Sequence, residues 1–300
     1  METRVFGKWI LAGEHAVLRG SPALVFPVFG KSLLLSYNDN GKDLTVSFAG
    51  DHGGEMRLLF WGVIEKALEL THRQRQDAKG HFQITNTIPV GAGLGASAAL
   101  CVGVGRWFEW KGWVQKTALP EFCRELENLF HGESSGVDIA VALSACGLHF
   151  ERHGERFLLE PRWAPKWFIS YSGKRGITSE CVNRVKALWE SDEAFAKQID
   201  FDMKESVLMA ERALLMDTAE SGLDLLATAI NRARTCFERW GLTSGEIGSH
   251  IQLLLNEGAY AVKPTGSGDG GYVLSLWRKP PPASLLATLI SCERAVNYSL

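Results

Sequence analysis

The stretch Pro89-Val90-Gly91-Ala92-Gly93-Leu94-Gly95-Ala96-Ser97-Ala98-Ala99 constrains this 300-residue chain more tightly than any other. Residues 81–88 before it alternate apolar and polar side chains, which predicts a strand. Residues 98–110 after it are small and apolar, which predicts a buried helix. Glycines at alternate positions let the backbone turn where other residues cannot and come close to a ligand. A glycine turn opening a helix aims backbone N–H groups and the positive end of the helix dipole at one point, which suits phosphate. Ser97 adds a hydroxyl able to meet a metal ion or a phosphate oxygen. A helix packed closely on a sheet also selects small residues, so the loop by itself leaves both readings open.

The chain is long enough for two domains. Its hydrophobic content of 46% and charged content of 22% fit a globular protein. A net charge of -2 argues against a nucleic-acid partner. The six cysteines show no CxxC spacing, so neither a zinc site nor a disulfide framework is expected. No apolar run approaches the roughly 20 residues of a membrane helix. The first five residues do not start like a secretory leader. Reduced thiols and a cytoplasmic location are therefore expected. Nothing in the sequence sets the oligomeric state, and a homodimer is compatible with it.

Lys8 lies in the apolar run 5–12 and is followed by Gly13-Glu14-His15. These charges read either as a polar pocket or, as spacing alone favours, as a strand and turn with solvated side chains. Glu121, Glu125 and Glu127 fall on an amphipathic helical pattern, where carboxylates usually face water. Asp138 opens a short apolar segment, either as a first-turn acid favoured by the helix dipole or as a catalytic carboxylate on a rigid element. Pro161 and Pro165 mark the domain boundary, giving domains 1–163 and 164–300. Helices are expected over 56–70, 114–130, 179–190, 195–217, 223–240, 244–256 and 282–295.

Three glycine patterns invite a nucleotide motif, and each fails on context. Gly30-Lys31-Ser32 ends like a P-loop, but Val25 stands where that motif needs glycine. Gly266, Gly268 and Gly271 satisfy G-x-G-x-x-G but run into a strand rather than a helix. Gly91, Gly93 and Ala96 satisfy its variant, yet the acidic residue about twenty positions on is Glu109, inside a helical segment. A dinucleotide site is not supported.

What remains is recognisable as a set. Gly7-Lys8-Trp9-Ile10-Leu11-Ala12-Gly13-Glu14-His15-Ala16-Val17 resembles the first motif of the GHMP small-molecule kinases, in the form carried by members that act on mevalonate. Residues 89–99 resemble their phosphate loop, and residues 263–271 their C-terminal glycine loop. Glu127, His131-Gly132 and Ser135-Gly136-Val137-Asp138 are similar to the catalytic segment. The motifs fall in the family order and span most of the chain.

The resemblance implies an α+β fold in two domains: an N-terminal ribosomal-protein-S5-like α/β domain and a C-terminal ferredoxin-like α+β domain. The active site is then expected in the cleft between the domains. It implies ATP and Mg²⁺ as cofactors and phosphorylation of the primary hydroxyl of mevalonate. Pro89, Gly91, Ala92, Gly93, Leu94, Gly95, Ala96, Ser97, Gly266, Ser267 and Gly268 would meet the nucleotide. Ser97 and Glu127 would hold the metal. Asp138 would take or orient the hydroxyl proton, with Lys8 paired to it. Glu14, His15, Thr178 and Gly266 would line the acceptor pocket.

The chain departs from the family pattern in places. Ala96 stands where a serine is usual. Glu133-Ser134-Ser135 lacks the common Asn-Pro. Asp269 replaces a glycine of the third motif, and the Arg175–Thr178 spacing is one residue long. The rival expectations are another acceptor, such as phosphomevalonate, homoserine or a sugar, and a nucleotide-binding sensor without catalysis. Retention of Lys8, Ser97, Glu127 and Asp138 together speaks against the sensor.

Overall fold

The computed structural model describes residues 1–50, 53–131, 134–154 and 156–293. The chain divides into two compact units that interleave along the sequence rather than following one cut. The first comprises residues 1–8, 31–90 and 94–145; the second comprises 9–30, 91–93 and 146–300.

In the first unit, β3 (Leu44–Gly50) and β4 (Gly80–Asn86) are parallel and joined by the crossover helix α1 (Gly53–Leu70). The later half of β2 (Ala23–Asn38) runs antiparallel to β4, with Leu33 opposite Asn86 and Asn38 opposite His81. The start of β1 (Glu2–Ala12) lies along the end of β2, where the Tyr37 N–H donates to the Met1 carbonyl at 2.8 Å. Three helices follow: α2 (Ala96–Trp110), α3 (Leu119–His131) and α4 (Val137–Ser144).

Phe60, Phe82, Trp107 and Phe108 are fully buried and meet edge to face, Phe82 and Trp107 at 4.9 Å. The small residues inside α2 serve this packing. A Cβ on Gly105 would sit 2.4 Å from the Cys123 sulfur, so α2 and α3 approach through a position with no side chain. Close packing and a glycine loop are therefore both present, in different parts of residues 91–110. Helix α3 begins at residue 119 rather than 114: a short 3₁₀ turn (Lys116–Ala118) precedes it, and Pro120 falls in its first turn, where proline costs nothing.

In the second unit, the first residues of β2 pair with β5 (Leu148–Phe150), and β5 with β6 (Arg156–Leu158). Gly30, Lys31 and Ser32 are part of the extended β2, which removes any P-loop geometry. A separate antiparallel sheet has the order β10-β7-β9-β8, from β7 (Lys166–Tyr171), β8 (Ala261–Thr265), β9 (Tyr272–Trp277) and β10 (Ile290–Ser291).

The helices of this unit are α5 (Thr178–Ser191), α6 (Glu193–Leu214), α7 (Ala219–Arg239), α8 (Glu246–Asn256) and the single turn α9 (Ala283–Leu286). Asp192 caps α6 by accepting from the Phe195 N–H at 3.0 Å, and Thr218 caps α7. Ile247, Ile251 and Leu254 of α8 pack on Val262, Val273 and Trp277.

The helix expected over 282–295 is corrected to α9 followed by β10. Leu285 and Leu289 pack against the α8 cluster, and the Ile290 backbone pairs with Ile169 on the open edge of β7, so tertiary pairing overrides helical spacing. Among the described residues no disulfide joins any of the six cysteines. Among the described residues no helix is long and apolar enough to cross a membrane.

Candidate active site

Asp138 is the second residue of α4, whose N-cap Gly136 adopts the left-handed conformation that ends the preceding turn. Its Oδ2 lies 3.1 Å from Nζ of Lys8 on β1, and their side chains are 20% and 7% exposed. The lysine is thus sealed in while the carboxylate keeps one side open, which is what a group serving a bound molecule requires. Gly95, the N-cap of α2, sits against this pair: a Cβ there would approach Lys8 Cγ to 2.9 Å, and its φ of 75° excludes most residues. Lys8 N–H also donates to the Leu94 carbonyl at 2.9 Å, tying β1 to the turn before α2. No side chain caps the first turn of α2. Its N–H groups are available to an anion.

Glu127 is on the same helix as Glu121 and Glu125 but points the other way. It is 1% exposed, whereas Glu121 and Glu125 stay near the surface with Arg124. The Ser134 hydroxyl donates to Glu127 Oε2 at 2.5 Å and accepts from the Gly136 N–H at 3.0 Å. Burial, and then the negative charge of Asp138, raise the Glu127 carboxyl to about 8. Its Oε1 is buried without a hydrogen-bond partner among the described residues. A buried oxygen with no donor, on a carboxyl short of positive charge, fits a divalent cation. Mg²⁺ needs only one or two protein oxygens, the rest coming from water and phosphate. Among the described residues no group of three or more His, Cys, Asp or Glu forms a denser cation site. Ser97, the second residue of α2, is half-buried, as is Pro89, while Ala96 is buried. His131 at the end of α3 and the adjoining Gly132 and Glu133 carry no side-chain description; Gly132 and Glu133 lie outside the described residues.

The second unit gathers the remaining candidates. Glu14 and Lys263 form an ion pair at 2.5 Å with side chains 2% and 0% exposed. Lys263 Nζ also donates to the Ile10 carbonyl and lies 5.2 Å from the Phe237 ring. Thr265 exchanges two hydrogen bonds with the Ile10 backbone. The solvated reading of Glu14 and His15 is therefore corrected: both are buried, because β8 supplies a cation that the local sequence does not show. His15 holds φ 56°, ψ -49°, and its Nε2 lies 2.8 Å from the Ser267 carbonyl. Burial lowers its pKa to about 4, so the ring is neutral. A carbonyl only accepts, so Nε2 carries the proton and Nδ1 keeps its lone pair.

The third glycine loop closes onto the same unit's residues 91–93. A Cβ on Gly266 would lie 3.6 Å from the Gly93 carbonyl, and one on Gly271 would lie 2.8 Å from the Ala92 carbonyl. Thr178, the first residue of α5, reaches the Ser267 hydroxyl at 3.5 Å, and Gly268 is buried beside Cys181. Gly91 is exposed, with the Arg175 side chain as its nearest neighbour.

Lys263 and Ser134 are the two participants that sequence reasoning missed. Lys263 carried a signal, a lone charge inside an apolar strand run. Ser134 carried none, since its role depends on where the turn after α3 returns.

Residues 59–146 match the model of the GHMP kinases N terminal domain. Over that stretch the chain is similar to the GHMP kinases. That stretch includes residues 89–99, α2, Glu127 and Asp138. Beyond it, the chain is 29% identical over 309 aligned residues to a mevalonate kinase of Thermococcus gammatolerans, covering 95% of this chain and 90% of that one. In fold it is similar to an L. major mevalonate kinase solved with R-mevalonate, with a TM-score of 0.78 at 20% identity over 93% of this chain and 87% of that one. A Streptococcus pneumoniae phosphomevalonate kinase shares the fold at a TM-score of 0.69 and 14% identity, over 93% and 92%. These likenesses show the α+β fold.

Proposed function

We propose that this protein is an ATP- and Mg²⁺-dependent kinase that phosphorylates the primary hydroxyl of mevalonate to give 5-phosphomevalonate, and that it works in the cytoplasm. The observation that carries the reading is the Lys8–Asp138 pair at 3.1 Å beside the uncapped start of α2. A carboxylate able to take an alcohol proton there stands next to backbone donors able to hold phosphate. Mevalonate kinases as the relatives along nearly the whole chain support mevalonate as the acceptor.

Phosphoryl transfer needs in-line positioning and charge neutralisation more than covalent catalysis. Asp138 orients the acceptor hydroxyl and accepts its proton. Lys8 holds the Asp138 carboxylate in place and offsets charge on the transferring group. The backbone of residues 91–97 and of Gly266, Ser267 and Gly268 holds the nucleotide phosphates. Ser97 and Glu127 hold Mg²⁺, which when bound neutralises phosphate charge. Glu14, His15, Thr178 and Gly266 line the acceptor pocket, with Glu14 paired to Lys263.

A coupled ADP-release assay across mevalonate, phosphomevalonate, homoserine and galactose tests the reading. Turnover preferring mevalonate supports it; preference for another acceptor reassigns the substrate, and nucleotide binding without any turnover favours a sensor. Phosphomevalonate would call for further cations; of Lys174 and Arg175, Lys174 lies 3.8 Å from Asp269 and the Arg175 side chain lies beside Gly91.

A further inference from the structure

Asp269 is the one residue of the third glycine loop that breaks the family pattern, and it does so in a conformation that glycine would adopt more easily. Its φ is 55°, in the left-handed region that Asp tolerates better than most residues. The backbone is fixed there by the Asp269 N–H donating to the Leu242 carbonyl at 2.8 Å. The carboxylate, 18% exposed, faces Lys174 Nζ at 3.8 Å and Arg184 Nη2 at 3.9 Å. Arg184, on α5, also donates to the Gly241 carbonyl at 2.7 Å.

These cations belong to the segment laid directly on the loop. Gly271 N–H donates to the Lys174 carbonyl at 2.7 Å, and Ser172 N–H to the Gly271 carbonyl at 2.9 Å. The two backbones come so close that a Cβ on Gly176 would lie 2.8 Å from the Gly268 carbonyl. That segment then enters α5, whose first residue Thr178 meets Ser267. Asp269 therefore touches both ends of the segment that delivers Thr178, through Lys174 before it and Arg184 after it.

We propose that Asp269 is a positioning residue for acceptor binding: its carboxylate ties residues 172–176 and α5 to the third glycine loop, holding Thr178 and Ser267 in register. The assignment rests on the kinase reading above for what the register serves, but not for the tie itself. Exposed ion pairs at this separation are individually weak, so the expected effect is modest, roughly a three- to tenfold rise in the acceptor KM on loss of both.

Two variants separate the tie from backbone strain. Asp269→Asn removes the charge and keeps a residue suited to the left-handed region; Asp269→Gly removes the charge and frees the backbone. The tie predicts that both raise the KM for mevalonate while kcat and the KM for ATP stay near the native values. It also predicts faster hydrogen exchange at Ser172 and Gly271 in both. Raising the salt to about 0.5 M should move the native KM toward that of the variants, since screening weakens exposed pairs. If Asp269→Asn leaves both exchange and the acceptor KM unchanged, the inference is wrong, whatever Asp269→Gly does. Hydrogen exchange is read without substrate. A protein that failed to turn over mevalonate would sink the kinase reading, and the exchange rates would still decide the tie.

Discussion

The Glu14–Lys263 pair offers the sharpest physical test. Lys263→Met leaves the Glu14 carboxylate in a site where its side chain is 2% exposed and the cation 2.5 Å away has gone. Removing one partner of a buried pair costs about 3–5 kcal/mol, because the other charge stays desolvated. Against a total of about 5–15 kcal/mol for a domain, this consumes a large share. Removing both charges with Glu14→Leu and Lys263→Met leaves no stranded ion, and such replacements are often neutral or stabilising. The double variant should lie within about 2 kcal/mol of native, so the coupling between the two changes is itself several kcal/mol. The stranded carboxylate escapes its penalty by binding a proton that it loses on unfolding. The single-variant deficit should therefore shrink as the pH falls from 8 toward about 5. Urea unfolding followed by circular dichroism at both pH values, on all four proteins of the cycle, measures this. A deficit below about 1 kcal/mol for Lys263→Met, or simple additivity in the double variant, would refute the claim that the charges depend on each other.

Asp138→Ala should abolish turnover while nucleotide affinity, read by calorimetry, stays within a few-fold of native; retained turnover would remove Asp138 from the chemistry. His15, held neutral with its pKa lowered from 6.5 to about 4, contributes stability that is present above pH 6.5 and lost as the pH falls through 4. The span corresponds to about 3 kcal/mol at most, so His15→Gln should flatten the fall in urea stability between pH 7 and 4.5, and an unchanged slope counts against burial as the cause. Ser97→Ala and Glu127→Gln should each raise the Mg²⁺ concentration needed for half-maximal activity, by roughly tenfold or more for Glu127; superimposable magnesium titrations would remove both from the metal site.

Local pattern carried the sequence reading where the partner is close along the chain. The order of strand, glycine turn and helix around residues 81–110 is visible because periodicity and glycine placement are local properties. The Lys8–Asp138 pair was reachable only through the family resemblance; its spacing alone left Asp138 equally a first-turn acid. Where burial is decided by distant residues, the local pattern misled. Glu14 and His15 beside a turn look solvated until β8 brings Lys263 and Ser267 to them. Glu127 is on the same helix as Glu121 and Glu125, and its burial beside Ser134 and Asp138 is what sets it apart. The parallel pairing of β3 with β4 and the short β10 are likewise choices among edges, which no window of sequence displays. Asp269 stands where the motif has glycine, and the two cations it faces come from the segment before α5 and from α5 itself.

The bonds joining Ile10 to Thr265 span 255 positions of chain. A ribosome releases Ile10 near the start of synthesis, and its partners on β8, Lys263 and Thr265, appear only after most of the polypeptide has been made. During that interval an apolar strand end and the carboxylate of Glu14 wait without Lys263. The first unit, whose residues end at 145, can close much earlier. Nascent chains stalled between residues 150 and 260 should therefore present the backbone at Ile10 to chaperones and proteases, with protection arriving once β8 has emerged.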